Sequence, residues 1–354
     1  MLTSPTVTRL QWRDHPLGEV ETPRGPMRIT LGVGSALARR PGDPPGRVWG
    51  LGDRGPNLKI KTAVNLYGLE GLAALSTLPG AKVLPMPDYQ PRLAELQVEG
   101  DRVCLIGTLL LRSPSGPLTG RTLPGDTRSL MEPTFDLQGV ALATDLGGVD
   151  PEGLAALSDG GFWISEEYGP SIMRVDHTGI VTSRWAPAGS GRRRLNRGFE
   201  GLAISADETR LYCLFQSALE GDAPTETRIW TLDARDGRLL GEHAYPFDPP
   251  NSFAETEPVG PGDLKACELV CVGPERLLVL ERMTRSARIY AIDLRHGSRL
   301  RKTLVFSTDH HEIGADLEGM CLLSDRELLL STDNDFGVEG AQTHFYRLQF
   351  EAPL

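Results

Sequence analysis

The sequence has no long apolar run, no secretion-type start and none of the common catalytic signatures. No stretch of its 354 residues approaches the roughly 18 apolar residues of a membrane helix. The start, MLTSPTVTRLQW, lacks basic and apolar signal regions, so we expect a cytoplasmic protein; an exported form whose signal has been removed is the alternative. Phosphate-loop, dinucleotide-binding, H-E-x-x-H and G-x-S-x-G motifs are missing. Nucleotide-dependent enzymes, zinc proteases and serine hydrolases are therefore disfavoured.

Cysteine and positive charge are also in short supply. The five cysteines, an odd number, lie in apolar stretches such as RVCLI and LYCLF, which predicts free, buried thiols. With 37 basic and 47 acidic residues, the formal net charge of −10 disfavours nucleic acid and anionic membranes as partners. We expect a monomer that acts on a small molecule.

Glycine and proline, by contrast, are abundant. The chain has 40 glycines and 27 prolines, more than globular proteins usually contain, and they show no collagen period. Because these residues interrupt regular structure, they disfavour long helices and favour many short strands joined by turns.

A unit of about 56 residues recurs along the chain. In each copy an acidic residue and a small apolar triplet precede a turn and a short strand that ends in polar residues. The copies are PEGLAALSDGGFWISEEYGP from Pro151, FEGLAISADETRLYCLFQSAL from Phe199, LEGMCLLSDRELLLSTDNDFG from Leu317, and a weaker one from Ala266. Each unit has room for about four strands, the content of a β-propeller blade.

These units predict an all-β fold, a single six-bladed β-propeller over residues 1–354 with an insertion around 60–80. The count of six includes a degenerate unit at ELQVEGDRVCLIGTLLL. The terminal segments TVTRLQW and THFYRLQF both alternate like strands, which suits closure of the ring by the two chain ends. A sandwich array would not explain polar residues at the same place in each unit.

The repeated acids predict a site in the central channel. Equivalent positions in the blades face that channel, so Glu152, Glu200 and Glu318 should converge, with Glu268 as a weaker fourth member. Gathered carboxylates repel one another unless a cation neutralises them, and calcium takes oxygen ligands. We predict that Glu152, Glu200, Glu318 and Asp335 hold calcium or another divalent cation. The alternatives are structural glutamates that accept backbone N–H groups, and acid–base catalysis.

A second polar layer is predicted at the strand ends and their loops. Carboxylates there can orient a water molecule, while arginine and lysine can bind phosphate or carboxylate. The predicted catalytic residues are Glu166, Glu281 and Asp333. The predicted substrate-binding residues are Asp53, Arg54, Tyr168, Arg197, Gln216, Lys265, Arg282 and Asn334. A rim of internal salt bridges is the alternative.

The same segments resemble the family called esterase-like activity of phytase, or phytase-like proteins. The resemblance runs from about residue 30 to 340 and is carried by DRGPN, PMPDYQP, DPEGLAALSDGGFWISEEYGPSI, NRGFEGLAIS, LFQSAL, LLVLER and DLEGM…DNDFG. It implies a propeller and the hydrolysis of phosphate or carboxylic esters. One unit departs from the pattern, because CELV stands where EGL is expected.

The predicted function is metal-dependent hydrolysis of a phosphate monoester or a simple ester, with a small anionic or ester substrate. The cation would polarise the ester and lower the pKa of a bound water, and arginines would stabilise the leaving group. One alternative is a non-catalytic propeller that binds a small ligand or protein through its channel. Another is a calcium-dependent lactonase.

Overall fold

The computed structural model describes residues 4–124, 132–255 and 257–354. Within these ranges, five sheets have four antiparallel strands each, and we call them blades 1 to 5. Blade 1 comprises Ala36–Ala38, Arg47–Leu51, Arg92–Glu99 and Arg102–Leu110; blade 2, Pro151–Ala156, Phe162–Glu166, Ser171–Val175 and Val181–Trp185; blade 3, Phe199–Ile204, Arg210–Phe215, Glu226–Asp233 and Leu239–Pro246; blade 4, Lys265–Gly273, Arg276–Arg282, Ala287–Asp293 and Lys302–Ser307; blade 5, Leu317–Ser324, Glu327–Thr332, Phe345–Gln349 and Thr6–Leu10.

The first-named strand of each blade is its inner strand. Each of the five inner strands contacts the inner strand of the next blade, and the inner strand of blade 5 contacts that of blade 1. This closed ring of sheets is a β-propeller, so the predicted all-β propeller fold is confirmed.

The predicted six blades are not confirmed, because five four-stranded sheets account for the repeat in the part of the chain that the structure describes. Strands Arg92–Glu99 and Arg102–Leu110 had been assigned to a degenerate unit of their own. They pair instead with Arg47–Leu51, as the third and fourth strands of blade 1.

The segment between the second and third strands of blade 1 leaves the sheet and holds the helices of the predicted insertion. Helix Ile60–Tyr67 ends at Gly68, whose φ of 70° is left-handed, and the 3-10 helix Glu70–Thr77 follows. The repeat-like EGLAAL therefore forms a 3-10 helix rather than a strand. Leu58–Lys59 and Lys82–Val83 flank these helices in sequence and form a small sheet with Thr134–Phe135, a strand from the segment between blades 1 and 2.

Shorter elements connect the blades. The pairs Pro16–Val20 with Met27–Thr30 and Arg112–Ser113 with Gly116–Pro117 form two-stranded sheets. Further 3-10 helices span Ser190–Arg192, Pro250–Ser252, Pro261–Asp263, Leu294–His296 and Asp335–Gly337. None of the helices in the described ranges is long and apolar enough to cross a membrane.

The chain ends close the ring. Thr6–Leu10 pairs antiparallel with Phe345–Gln349, with Thr6 opposite Gln349 and Leu10 opposite Phe345. The two terminal segments therefore share blade 5, which confirms the closure predicted from their alternation.

Apolar layers between neighbouring blades stabilise the ring. Tyr212 and Leu214 of blade 3 pack with Leu277 and Val279 of blade 4. Successive side chains of a strand point to opposite faces of the sheet, and the neighbouring blades cover both faces of each blade. The middle strands are therefore apolar nearly throughout. Burying one such leucine contributes about 1.5–3 kcal/mol.

All five cysteines are free. Cys213, Cys267 and Cys321 are buried and Cys271 is half-buried, but Cys104 is exposed. Cys104 differs from the prediction because it lies on the outermost strand of blade 1, where one face meets solvent.

Candidate functional site

The inner strands bring one side chain each towards the mouth of the channel. Four of these strands have an irregularity in their pairing, located between Pro151 and Gly153, Phe199 and Leu202, Ala266 and Glu268, and Leu317 and Gly319. A bulge re-aims the side chain at that point of a strand. The residues at this position are Ser35, Glu152, Glu200, Cys267 and Glu318.

Glycine follows three of these acids because the inner strands are very close there. A Cβ atom on Gly153 would lie 2.1 Å from the carbonyl oxygen of Glu200. One on Gly201 would lie 2.6 Å from the backbone nitrogen of Leu269. In each Glu-Gly pair of the repeat, the glutamate faces the channel. The glycine lies so close to the neighbouring inner strand that no side chain fits there.

The channel mouth forms a polar cavity of about 320 Å³. Nine of its seventeen lining residues are acidic and four are basic. The lining comprises Ser35, Asp53, Asn57, Lys59, Lys82, Glu152, Glu167, Asn196, Glu200, Gln216, Lys265, Arg282, Asp316, Glu318, Asp333, Asp335 and Glu339.

Two groups of carboxylates in this region are close enough to share a cation. One oxygen from each of Asp53, Asp333 and Asp335 lies within 4.8 Å of the others. The same holds for Asp53, Asp150 and Glu152. Asp53 is common to both groups, and carboxylate oxygens are the ligands that calcium prefers.

The turn that carries Asp333 and Asp335 is fixed by buried hydrogen bonds. Asn334, fully buried, accepts the N–H of Phe336 at 2.9 Å and donates to the carbonyl of Leu31 at 3.2 Å. The N–H of Asn334 in turn donates to Asp333 at 2.9 Å. The two aspartates are therefore held in place by the backbone between them.

Strained backbone is concentrated at this cavity. Asn196, Asp316 and Asp335 line it and have left-handed φ values of 52°, 55° and 45°. Non-glycine residues rarely adopt such angles, which cost about 1–3 kcal/mol each and cluster at ligand sites.

Burial and mutual repulsion raise the pKa of the cavity carboxylates. For Asp53 burial is the main cause, followed by the charge of Asp150. For Asp333 burial is again followed by repulsion, here from Asp335 and Glu318. Burial and the charge of Glu200 raise the pKa of Glu152 in the same way. The charged forms of these acids are destabilised, and a cation would reverse this.

Glu200 and Glu318 have partners of their own. Gln216 donates to one oxygen of Glu200, while the other, Oε2, is buried and has no hydrogen-bond partner in the described ranges. Arg282 donates to Glu318 and, at 2.7 Å, to Asp316. Neither glutamate belongs to the two close carboxylate groups.

Lysine side chains also line the cavity. Lys82 donates to Asn57 at 3.3 Å, and its pKa is lowered by burial and by the nearby Arg54. Lys265 lines the cavity, and its side chain makes no hydrogen bond or ion pair with any described residue. Burial and the charge of Glu167 raise the pKa of Glu200, and the charge of Lys265 opposes that rise. Lys265 is thus a cation available to a ligand.

A family model described as "Phytase-like: Esterase-like activity of phytase" matches residues 29–336. The chain belongs to this family. The resemblance carried by the sequence motifs is thereby confirmed.

Known relatives of this phytase-like chain include an "Uncharacterized secreted protein" from Arthroderma benhamiae. It is 29% identical over an alignment of 231 residues, and the match covers 52% of this chain and 42% of that protein. The chain therefore spans about two fifths of the relative's length. The relative's name contradicts the cytoplasmic location expected from the sequence, and that expectation is corrected.

Two solved structures give more distant similarities. The PQQ-bound aldose sugar dehydrogenase of Streptomyces coelicolor is 12% identical, covers 99% of this chain and 100% of its own, and has a TM-score of 0.40. The calcium-binding regucalcin of Agrobacterium tumefaciens is 14% identical, covers 92% of both chains, and also has a TM-score of 0.40.

Two predicted catalytic residues do not line the cavity. Glu166 is fully buried, accepts hydrogen bonds from Ser171 at 2.6 Å and Tyr168 at 2.9 Å, and pairs with Arg184 at 2.8 Å. The side chain of Glu166 points away from the channel because successive residues of a strand face opposite sides. Glu167, one residue further on, lines the cavity instead.

The side chain of Glu281 also points away from the cavity, because successive residues of a strand face opposite sides. It is fully buried and accepts from Tyr245 Oη and from the N–H of Asp248, both at 2.9 Å, and it pairs with Lys302 at 2.5 Å. Arg282 lines the cavity in its place. Of the three predicted catalytic residues, Asp333 alone lies in the cavity lining.

Glu167 is poised to exchange a proton near neutral pH. It is 2% exposed and accepts the N–H of Gly198 at 2.7 Å. Burial, together with the charges of Asp150 and Glu132, raises its pKa to about 7, although Arg193 and the Gly198 N–H oppose the shift. A carboxyl group with this pKa can act as a general acid or base.

Four predicted substrate-binding residues lie behind the cavity wall. Arg54 is buried and joins Asp150 at 2.6 Å, Tyr168 at 2.9 Å and Asn196 at 2.7 Å, so it positions the wall rather than facing a ligand. Tyr168 is fully buried beside it. Arg197 donates to the carbonyl of Gly262 at 3.0 Å. Asn334 fixes the aspartate turn described above.

The remaining predicted residues do come together. Asp53, Gln216, Lys265, Arg282, Asp333 and the predicted metal ligands Glu152, Glu200, Glu318 and Asp335 all line the one cavity. Glu268 does not, because Cys267 occupies the position equivalent to the other glutamates and Glu268 takes the place of the glycine.

Several lining residues were not among the predicted site residues: Ser35, Asn57, Lys59, Lys82, Glu167, Asn196, Asp316 and Glu339. Strand alternation could have identified Glu167. Lys59 and Lys82 lie in the segment inserted into blade 1, and Glu339 follows a turn; no repeat marks these positions in the sequence.

Proposed function

We propose that the cavity binds a divalent cation, with calcium as the first candidate, and hydrolyses a phosphate monoester or a simple ester. The observation that carries this proposal is the close group of Asp53, Asp333 and Asp335. The donor set suits a hard cation, because Asp53 and Asp333 are carboxylates whose pKa is raised. Outside this close group, the unpartnered Oε2 of Glu200 lies at the same cavity. Glu152 and Asp150 would provide further oxygens through the second group.

The four basic residues of the lining allow an anionic phosphate ester to bind beside the cation. The excess of acids would repel a free anion, so an anionic substrate needs both the cation and the lysines. Lys265 has no competing partner among the described residues, whereas Arg282 is paired with Glu318 and Asp316. Lys265 is therefore the residue that we assign to the substrate's negative charge, and Lys59 and Lys82 are further cations of the lining.

The chain's own groups would supply proton transfer and orientation. When bound, the cation would polarise the ester and lower the pKa of a coordinated water. Glu167, with its pKa of about 7, would accept the proton from the attacking water. Asn196 and Asp316, held in strained backbone, would fix the edges of the substrate pocket.

The same proposal covers location and partners. The relative named as a secreted protein supports export of this chain, and extracellular calcium sites commonly have Kd values of about 10⁻⁴–10⁻³ M. We propose a monomer with a small anionic or ester substrate, without nucleic-acid or membrane partners.

The test is hydrolysis of p-nitrophenyl phosphate, p-nitrophenyl acetate and a simple lactone by chelator-treated protein, with and without added calcium. We expect calcium-dependent phosphate release. Asp333→Asn should lower kcat/KM more than about 100-fold, since altering even residues around a metal ligand costs 10–100-fold. Lys265→Ala should raise KM about tenfold by removing one charged contact. Arg295→Ala, on the exposed surface, is the matched control.

The alternative functions are separate outcomes of this assay. Lactone turnover without phosphate release would identify a calcium-dependent lactonase. Calcium binding without turnover of any of the three substrates would contradict the hydrolase and support a binding propeller.

A further inference from the structure

Glu268 joins the inner strands of four blades through one carboxylate. The side chain is fully buried. The N–H of Leu269 donates to its Oε1 at 3.0 Å, and the N–H of Leu37 in blade 1 donates to its Oε2 at 3.3 Å. The N–H groups of Leu202 in blade 3 and Met320 in blade 5 also lie close enough to favour its charged form.

The four N–H groups occupy equivalent positions in the repeat. Each belongs to the second residue after the cavity-facing position, which is Ser35 in blade 1 and Glu200, Cys267 and Glu318 in blades 3 to 5. The ring of strands therefore directs these donors at one point by its symmetry. Backbone N–H groups that converge in this way form an anion-binding concavity.

Blade 4 supplies the side chain that lies where these N–H groups converge. The equivalent residues in blades 2, 3 and 5 are Gly153, Gly201 and Gly319. The donors are thus a property of the ring, and the carboxylate is contributed by one blade alone.

Glu268 also lies between two cavities of the channel. The polar cavity is on one side. On the other, a cavity of about 140 Å³ is lined mostly by apolar residues further along the same five strands, including Ala38, Ala156, Ile204 and Leu322.

We propose that the converging N–H groups form a binding site for a small monoanion of the carboxylate class, which this chain fills with its own Glu268. A carboxylate suits the site because it only accepts hydrogen bonds, whereas a glutamine would turn an N–H₂ group against the donors. Burial raises the pKa of Glu268 well above its usual range, and the four N–H groups oppose that shift. The proposal does not depend on the hydrolase function.

The experiment is thermal unfolding of Glu268→Gly in sodium formate, at constant ionic strength set with the bulky sulfonate MES. Glycine is the residue of three sister strands, so the variant retains a backbone that the ring accepts. Formate should raise its Tm by about 3–5 °C, because a ligand of the folded state stabilises it by mass action. The wild type, with the site filled, should show no such shift.

Glu208→Gly is the matched control, since Glu208 is a half-buried turn residue far from Glu268 in sequence, with a φ of 55° that glycine tolerates. A formate shift confined to Glu268→Gly supports the site. No shift, or an equal shift in all three proteins, overturns it. If Glu268→Gly does not fold alone, it is refolded from urea in formate and in MES. Formate-dependent recovery supports the proposal, and failure in both contradicts it.

Discussion

Glu166 and Glu167 are adjacent in the chain but have opposite surroundings. Glu166 is paired with Arg184 at 2.8 Å on the outer side of the strand, whereas Glu167 lies at the cavity with a pKa of about 7. We expect Glu167→Gln to lower kcat about 10²–10⁴-fold, the usual contribution of a general base, while KM changes little. Glu166→Gln should keep kcat and lower Tm, because it removes the charge that pairs with Arg184.

Steady-state kinetics and thermal melts of both variants check this prediction. The control is that Glu167→Gln unfolds cooperatively, which shows that its loss of rate is not a loss of fold. If Glu166→Gln loses the activity instead, the placement of the two side chains is contradicted.

The raised pKa of Glu167 also makes stability depend on pH. Its folded-state pKa, about 7, exceeds the ordinary value of 4.5, so its contribution is present at low pH and is lost as the pH rises through 7. Between pH 8 and pH 5.5, metal-free wild type should gain about 2 kcal/mol more unfolding free energy than Glu167→Gln. Urea unfolding at the two pH values measures the difference. An equal gain in both proteins would show that Glu167 titrates normally.

At the scale of the strand, the Glu-Gly pairs depend on how closely the blades approach. Gly153→Ala would place a Cβ 2.1 Å from the Glu200 carbonyl oxygen, so the inner strands must move apart. We expect a loss of about 1–3 kcal/mol or more of unfolding free energy, together with weaker calcium binding. Gly18→Ala is the control, because nothing lies within 4 Å of its Cβ. Urea unfolding that shows equal stability for the two variants would contradict the close packing.

The sequence predicted the elements that repeat and not those that interrupt the repeat. Glu152, Glu200 and Glu318 were recognisable as a set because the same local pattern surrounds each of them. The blade count could not be predicted, because 40 residues separate Leu51 from Arg92, although the two strands pair within one sheet. Strand alternation alone does not show which neighbour a strand pairs with. Glu166 and Glu281 miss the cavity because they pair with Pro151 and Ala266, one residue before the cavity-facing position of each inner strand. Thr332 is their counterpart in blade 5, so Glu167 and Arg282, not Glu166 and Glu281, correspond to Asp333.

Across the whole molecule, negative charge is concentrated at the channel mouth. The chain's formal net charge is −10, and the cavity combines nine acids with four basic residues. A propeller is well suited to this arrangement, because each blade contributes one or two side chains to a common point while the blade-to-blade apolar layers hold the strands. In the proposed function the carboxylates repel one another until a cation binds, so the metal-free protein should be less stable than the calcium-bound protein.

The most direct test of this account is a calorimetric titration of calcium into chelator-treated wild type and Asp53→Asn. Asp53 is the residue common to both close carboxylate groups. We predict saturable binding to the wild type, with a Kd of about 1 mM or lower, and its loss or at least about tenfold weakening in Asp53→Asn. Absence of calcium binding by the wild type, or unchanged binding by a folded Asp53→Asn, would contradict the cation site.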